Sequence, residues 1–194
     1  MMSSAPATDR ASILLVDDME DNLDALEAVL GGLGEPLVRA GSGEEAVNAL
    51  QEREFAVVLL DVVMPGMDGF ETAASIRRHD RSRDVPIIFL TGTGTGTDRG
   101  YAFRGYATGA ADFVAKPFDP WVLRAKVGVF LDLHRKNRQL QRLLARDREQ
   151  LDTLAERLAS IESCLSTGRA PDTAELRAGV ARMEEALRAL RSGR

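Results

Sequence analysis

Short apolar runs punctuate the first two thirds of the chain, and four of them end on residues with chemistry. Ile13-Leu14-Leu15-Val16 ends in Asp17-Asp18, and Val57-Val58-Leu59-Leu60 ends in Asp61. Val85-Pro86-Ile87-Ile88-Phe89-Leu90 ends in Thr91, and Asp112-Phe113-Val114-Ala115 ends in Lys116-Pro117. Runs this short, β-branched and without polar alternation predict strands buried on both faces of a parallel sheet. Leu37-Val38-Arg39-Ala40 adds a fifth, weaker strand. Between them the apolar spacing becomes helical. Leu23, Leu26, Val29 and Leu30 form one inner face, and Ala46, Val47 and Leu50 form another. Glu20 and Asp21 open the first helix, where the helix dipole favours acids, and Gly31-Gly32-Leu33-Gly34 stops it. Gly41-Ser42-Gly43 caps the second. A third is expected from about Phe70 to His79, followed by a charged, solvated loop to Asp84. Strands alternating with helices predict an α/β fold with a doubly wound parallel sheet.

From Pro120 the pattern changes. Pro120 suits a first helical turn. Phe130, Leu133, Asn137, Leu140, Leu144, Asp147, Leu151, Leu154, Leu158, Ile161 and Leu165 recur at alternating spacings of three and four, the a and d positions of a coiled coil. A helix from Pro120 to Leu165 extends about 70 Å at ~1.5 Å per residue. Two outcomes stay open. A parallel dimeric coiled coil is the first, with Asn137 at an a position and Asp147 as a weak spot at a d position. A helix folded back on its own α/β domain is the second. Thr167-Gly168-Arg169-Ala170-Pro171-Asp172 breaks the helix, and another begins near Thr173. The expected organisation is a flexible arm over 1–10, an α/β domain over 11–119, a long helix over 120–166 and a second amphipathic helix over 167–194. Trp121 is read as a residue packing at the hinge between the domain and the helix.

Composition narrows the function classes. No apolar run approaches the ~20 residues of a membrane span. Met1 to Arg10 has no apolar core segment and does not read as a secretory leader. A single cysteine excludes an internal disulfide and a cysteine-based zinc site, which fits a cytoplasmic setting. The net charge of −5 hides an asymmetry: residues 1–119 hold 10 Lys and Arg against 20 Asp and Glu, and residues 120–194 hold 15 against 10. The basic excess of the tail is interspersed with acids, so a nucleic-acid footprint is not expected.

Ligands of open α/β sheets bind at the carboxyl ends of the strands. Parallel neighbours would bring three carboxylates, a hydroxyl and an ammonium to one edge there. Hard oxygen donors suit Mg²⁺, and the lysine and hydroxyl suit phosphoryl oxygens. Gly92-Thr93-Gly94-Thr95-Gly96-Thr97 lacks the Gly-Lys-Ser/Thr ending of a phosphate loop, so nucleotide binding is rejected. A glycine-bearing helix from Asp98 to about Thr108 is expected beside the site.

Asp17-Asp18, the run Asp61-x-x-Met64-Pro65-Gly66-Met67-Asp68-Gly69, Thr91 and Lys116-Pro117, in this order, resemble the receiver domain of two-component response regulators. The resemblance covers roughly residues 10 to 133. It implies a five-stranded sheet in the order 2-1-3-4-5. It implies that Asp61 is the phosphoacceptor, with Thr91 and Lys116 completing the catalytic set. Asp18 and Asp61 would bind Mg²⁺ directly, Asp17 with the help of water, and the backbone carbonyl of Val63 would add a ligand. Thr91 and Phe113 would form the switch, and Lys116-Pro117 would be cis. The partners implied are a histidine kinase or phosphotransfer protein, a second copy bound through the helical tail, and a downstream protein. The chain is then a phosphoacceptor signalling protein that assists its own phosphorylation and dephosphorylation, and not an enzyme. Phe113 as a plain core aromatic stays open. So does a receiver with a signalling helix inside a longer protein, such as a hybrid histidine kinase or nucleotide cyclase. Asp68 is read as shaping its turn, and Asp112 as a strand-edge acid.

Overall fold

The structure, a computed structural model, describes residues 11–92, 111–166 and 177–181. The N-terminal arm, the glycine-threonine loop after Gly92 with its helix, and all of the second tail helix except the helical residues 177–181 lie outside the described residues. Five strands, β1 (Ile13–Val16), β2 (Leu37–Ala40), β3 (Val57–Asp61), β4 (Ile87–Thr91) and β5 (Asp112–Ala115), form one sheet. All pairings are parallel, and the order is β2-β1-β3-β4-β5, as the resemblance implies. The three inner strands are buried at every residue, which accounts for their unbroken apolar runs. Alternate residues serve opposite faces. Leu14, Val16, Leu60 and Phe89 pack with Ala46, Leu50, Phe70 and Ile76 on one side. Ile13, Leu15, Leu59 and Ile88 pack with Leu23, Leu26, Leu123 and Val127 on the other.

The helices start where the sequence supplies caps. Helix α1 (Glu20–Leu30) carries its two acids in the first turn, and a 3-10 turn (Gly31–Leu33) then ends on Gly34, whose φ of 72° is left-handed. Helix α2 (Gly43–Glu52) begins at Ser42, whose hydroxyl accepts the Glu45 amide. Helix α3 (Gly69–Arg77) begins with a full capping box: Asp68 accepts the Glu71 amide, and the Glu71 carboxylate accepts the Asp68 amide. Asp68 therefore builds the turn expected of it. The long helix (Pro120–Ser166) begins at Asp119, whose carboxylate accepts the amides of Trp121 and Val122.

The chain forms two compact units, Met1–Arg135 and Lys136–Arg194. The sheet domain thus keeps the first turns of the long helix, with Leu123, Val127 and Leu131 buried, and does not stop at residue 119. In the same unit Arg135 pairs with Glu35 and Asp132, and Lys126 pairs with Asp112, giving that edge acid a structural partner. Two expectations need correcting. Trp121 is 75% exposed and does not pack at a hinge, because the face that meets the sheet is set by Leu123 and its helical neighbours. The Arg77–Asp84 stretch is not simply solvated. Ser82 is buried and donates to the Ile76 carbonyl, and Arg77 donates to the carbonyls of Arg83 and Val85.

Candidate functional site

The carboxyl edge of the sheet gathers the residues that close the apolar runs. Asp17 and Asp18 follow β1, Asp61 ends β3, Thr91 ends β4 and Lys116 follows β5. One oxygen from each of Asp17, Asp18 and Asp61 lies within 4.8 Å of the others. Asp17 is fully buried and Asp61 nearly so, while Asp18 is exposed. Lys116 bridges the two buried acids, with Nζ 2.7 Å from Asp17 Oδ2 and 2.8 Å from Asp61 Oδ1. The Lys116–Pro117 peptide is cis.

Asp17 has its bonds satisfied inside the protein. Its Oδ1 accepts from the Met19 amide at 3.0 Å and from Asn22 Nδ2 at 2.8 Å. Asn22 escaped notice in the sequence, because a polar residue in the first turn of a helix is ordinary. Asp61 is held more lightly. Its Oδ2 takes one bond, at 3.2 Å, from the Val63 amide. Burial pushes the Asp61 carboxyl above its ordinary range, opposed by the Lys116 hydrogen bond. Burial draws the Lys116 ammonium down, but the hydrogen bonds it donates to Asp17 and Asp61, with the charge of both acids, outweigh it and hold the lysine above its usual value.

The backbone around Asp61 is tightly packed. Gly66 takes a left-handed φ of 76° in the loop, and the Gly69 amide donates to the Val62 carbonyl at 3.0 Å. A Cβ on Gly69 would stand 2.2 Å from the Asp61 carbonyl oxygen, so no other residue fits there without moving β3. Thr91 is buried, and its carbonyl accepts the Lys116 amide at 2.6 Å, which ties β4 to the lysine. Phe113 is half-buried and stacks on Phe89 with ring centroids 5.5 Å apart. Phe89 in turn lies 5.0 Å from Phe70 at the start of α3. A cleft beside the acids is lined by Asp17, Asn22, Ala25, Leu26, Lys116 and Phe118.

Three carboxylates against one ammonium leave an excess of about two negative charges, held by oxygen donors. That matches a divalent, oxygen-loving cation. The arrangement suits the handling of a phosphoryl group at an acid already buried beside a lysine.

The family model for the response regulator receiver domain matches residues 13–128, more than half of the chain. Among curated proteins, the transcriptional regulatory protein YvrH of Bacillus subtilis is 37% identical over 124 residues, 63% of this chain and 50% of its own. The probable transcriptional regulator ycf27 of Guillardia theta is 38% identical over 122 residues, 63% of this chain and 46% of its own. The chain spans about half the length of these curated relatives. Their names give no support to setting nucleic acid aside on the charge pattern of the tail. Among solved structures, the receiver domain of the Pseudomonas aeruginosa sensor histidine kinase PA1611, with a magnesium ion in its active-site cleft, is 29% identical at a TM-score of 0.57. It is matched over 63% of this chain and 98% of its own. The Vibrio cholerae chemotaxis protein CheY4 is 30% identical at a TM-score of 0.58, over 62% of this chain and 98% of its own. The sheet order, the acid cluster with its bridging lysine, and the family model agree over the same residues, and the chain belongs to the response regulator receiver domain family.

Proposed function

We propose that this chain is a two-component response regulator in which Asp61 accepts a phosphoryl group from a histidine kinase or phosphotransfer protein. The P–N bond of the donor phosphohistidine breaks, a P–O bond forms to an Asp61 carboxylate oxygen, and the imidazole, already protonated on its other ring nitrogen, leaves as the neutral ring. The observation that carries the reading is Lys116 bridging Asp17 and Asp61, an ammonium already placed against the acceptor oxygen. Lys116 then neutralises phosphoryl charge, and Thr91 hydrogen-bonds a phosphoryl oxygen after transfer. Mg²⁺, when bound, neutralises charge on the transferring group. Asp18 and Asp61 would hold it directly, with the Val63 carbonyl as a further ligand and Asp17 helping through water. The saturated hydrogen bonding of Asp17 supports that indirect role, and the exposure of Asp18 supports its direct one.

Phe113 pairs with Thr91 in the switch, moving from its stack on Phe89. The output is protein–protein contact through a dimeric helical tail. The half-exposed leucines beyond Leu133 support this, since a lone helix presents them to water. No helix among the described residues is long and apolar enough to cross a membrane, and we place the chain in the cytoplasm with no membrane role.

A second reading has the same receiver and helix as a segment of a longer signalling protein, such as a hybrid kinase or a nucleotide cyclase. The likeness to a receiver domain from a sensor histidine kinase supports it.

Incubation with a small phosphodonor and Mg²⁺, followed by mass spectrometry, tests the acceptor. A single phosphoryl adduct on Asp61, lost without Mg²⁺ and absent from Asp61→Asn, is expected. Equal modification of the variant would remove Asp61 from the role.

A further inference from the structure

Asn22 reaches the acid edge from a helix and not from a strand end. It is the third residue of α1, and its own backbone amide donates to the Met19 carbonyl at 3.0 Å, which ties the turn down. Its side chain is half-buried and lines the cleft beside Asp17 and Lys116. From there Nδ2 donates to Asp17 Oδ1 at 2.8 Å.

Asp17 is fully buried, so its orientation is set by what its two oxygens accept from the protein. The oxygens are divided. Oδ1 takes the Met19 amide and Asn22, both from the start of α1, and Oδ2 takes Lys116 Nζ at 2.7 Å. Without Asn22, Oδ1 keeps the Met19 amide alone at 3.0 Å, and the charged Lys116 outpulls it. The carboxylate then turns toward the lysine.

The chemistry of the donor matters as much as its place. Asp17, Asp18 and Asp61 bring oxygens within 4.8 Å of one another, and Lys116 neutralises only part of their charge. An arginine or lysine at position 22 could orient Asp17 too, but it would cancel negative charge that a divalent cation needs. A carboxamide orients the acid and cancels none of it.

We propose that Asn22 is a positioning residue for the cation: it fixes Asp17 in the orientation through which that acid helps to hold Mg²⁺. This rests on the reading of Asp61 as an Mg²⁺-assisted phosphoacceptor, and adds a residue that acts through Asp17 alone.

The test is calorimetric titration of the full chain with Mg²⁺ and no phosphodonor. Asn22→Leu keeps the bulk and removes the donor, and Asn22→Ala removes both; circular dichroism checks that each is folded. Groups that orient a metal's ligands typically change affinity by about ten- to a hundredfold. Both variants are expected to bind Mg²⁺ about tenfold more weakly than the wild-type chain. Labelling of Asp61 by a small phosphodonor should then need about tenfold more Mg²⁺ to reach half its maximal rate. Leu123→Ala, which loosens the fold from the long helix, should keep the wild-type affinity. A bond that merely braces α1 would lower the unfolding midpoint and leave Mg²⁺ affinity alone. Wild-type affinity in both Asn22 variants, or an equal loss in Leu123→Ala, overturns the positioning role and leaves the Mg²⁺ reading standing. A wild-type chain that binds no Mg²⁺ overturns that reading and the role of Asn22 with it.

Discussion

The long helix is one element with two environments. In its first turns Leu123, Val127 and Leu131 are buried against the sheet. Further along, Leu140, Leu144, Leu151 and Leu158 repeat with similar spacing and are half exposed. Both stretches obey the same helical periodicity, so the difference lies in what stands opposite. The first has a sheet face with Ile13, Leu15 and Leu59 waiting for it, and the second has no such face in its own unit among the described residues. The comparison also divides the residues that the spacing places at a and d positions. Phe130, counted from the sequence as a seam position, packs on the sheet core, while Leu133 beside it is 58% exposed. The half-exposed leucines from Leu140 onward lie past Arg135, where the first unit ends.

Substitutions in the two stretches separate these roles. The largest effect is expected on association. Each leucine buried in a seam contributes roughly 1.5–3 kcal/mol, so Leu154→Lys with Leu158→Lys should leave single chains. Sedimentation should show the loss, and chemical unfolding of the sheet domain should be unmoved. The reverse pattern is expected for Leu123→Ala, which opens a cavity under the sheet and should lower unfolding stability by about 2–5 kcal/mol. Dimer mass at low denaturant should persist. If Leu123→Ala weakened association as strongly as the lysine pair, the division of the helix would be wrong. The smallest effect belongs to Trp121→Ala, which removes a side chain that is 75% exposed. A stability change within about 0.5 kcal/mol is expected in the same unfolding experiment. A larger loss would restore the packing role that the sequence suggested for it.

Much of the sheet domain was legible because burial on both faces leaves a plain mark, an apolar run broken at once by an acid, hydroxyl or lysine. That mark located Asp17, Asp18, Asp61, Thr91 and Lys116, and the structure gathers these five residues, from the ends of four strands, at one edge. The strand order came from resemblance, since no run states its neighbour. What stayed hidden depends on pairing through space. Asn22 reaches Asp17, Lys126 reaches Asp112 and Arg135 reaches Glu35. None of these pairs leaves a period in the chain. The Arg77–Asp84 stretch misled for a related reason: its charged composition suggests solvent, yet Ser82 and Arg77 spend their donors on carbonyls six to eight residues away.

The close approach of Gly69 to the Asp61 carbonyl bears on protein engineering. The end of β3 and the first residue of α3 meet at Gly69, whose amide donates to the Val62 carbonyl, and the left-handed Gly66 and the capping box lie in the short segment between and beside them, so the segment behaves as one part. A designer moving Asp61 and its setting onto another parallel sheet has to carry the whole segment from Asp61 to Glu71. Grafting the acid alone would leave a host Cβ where this chain brings the Asp61 carbonyl oxygen to within 2.2 Å of that position, and the host strand would shift to relieve it.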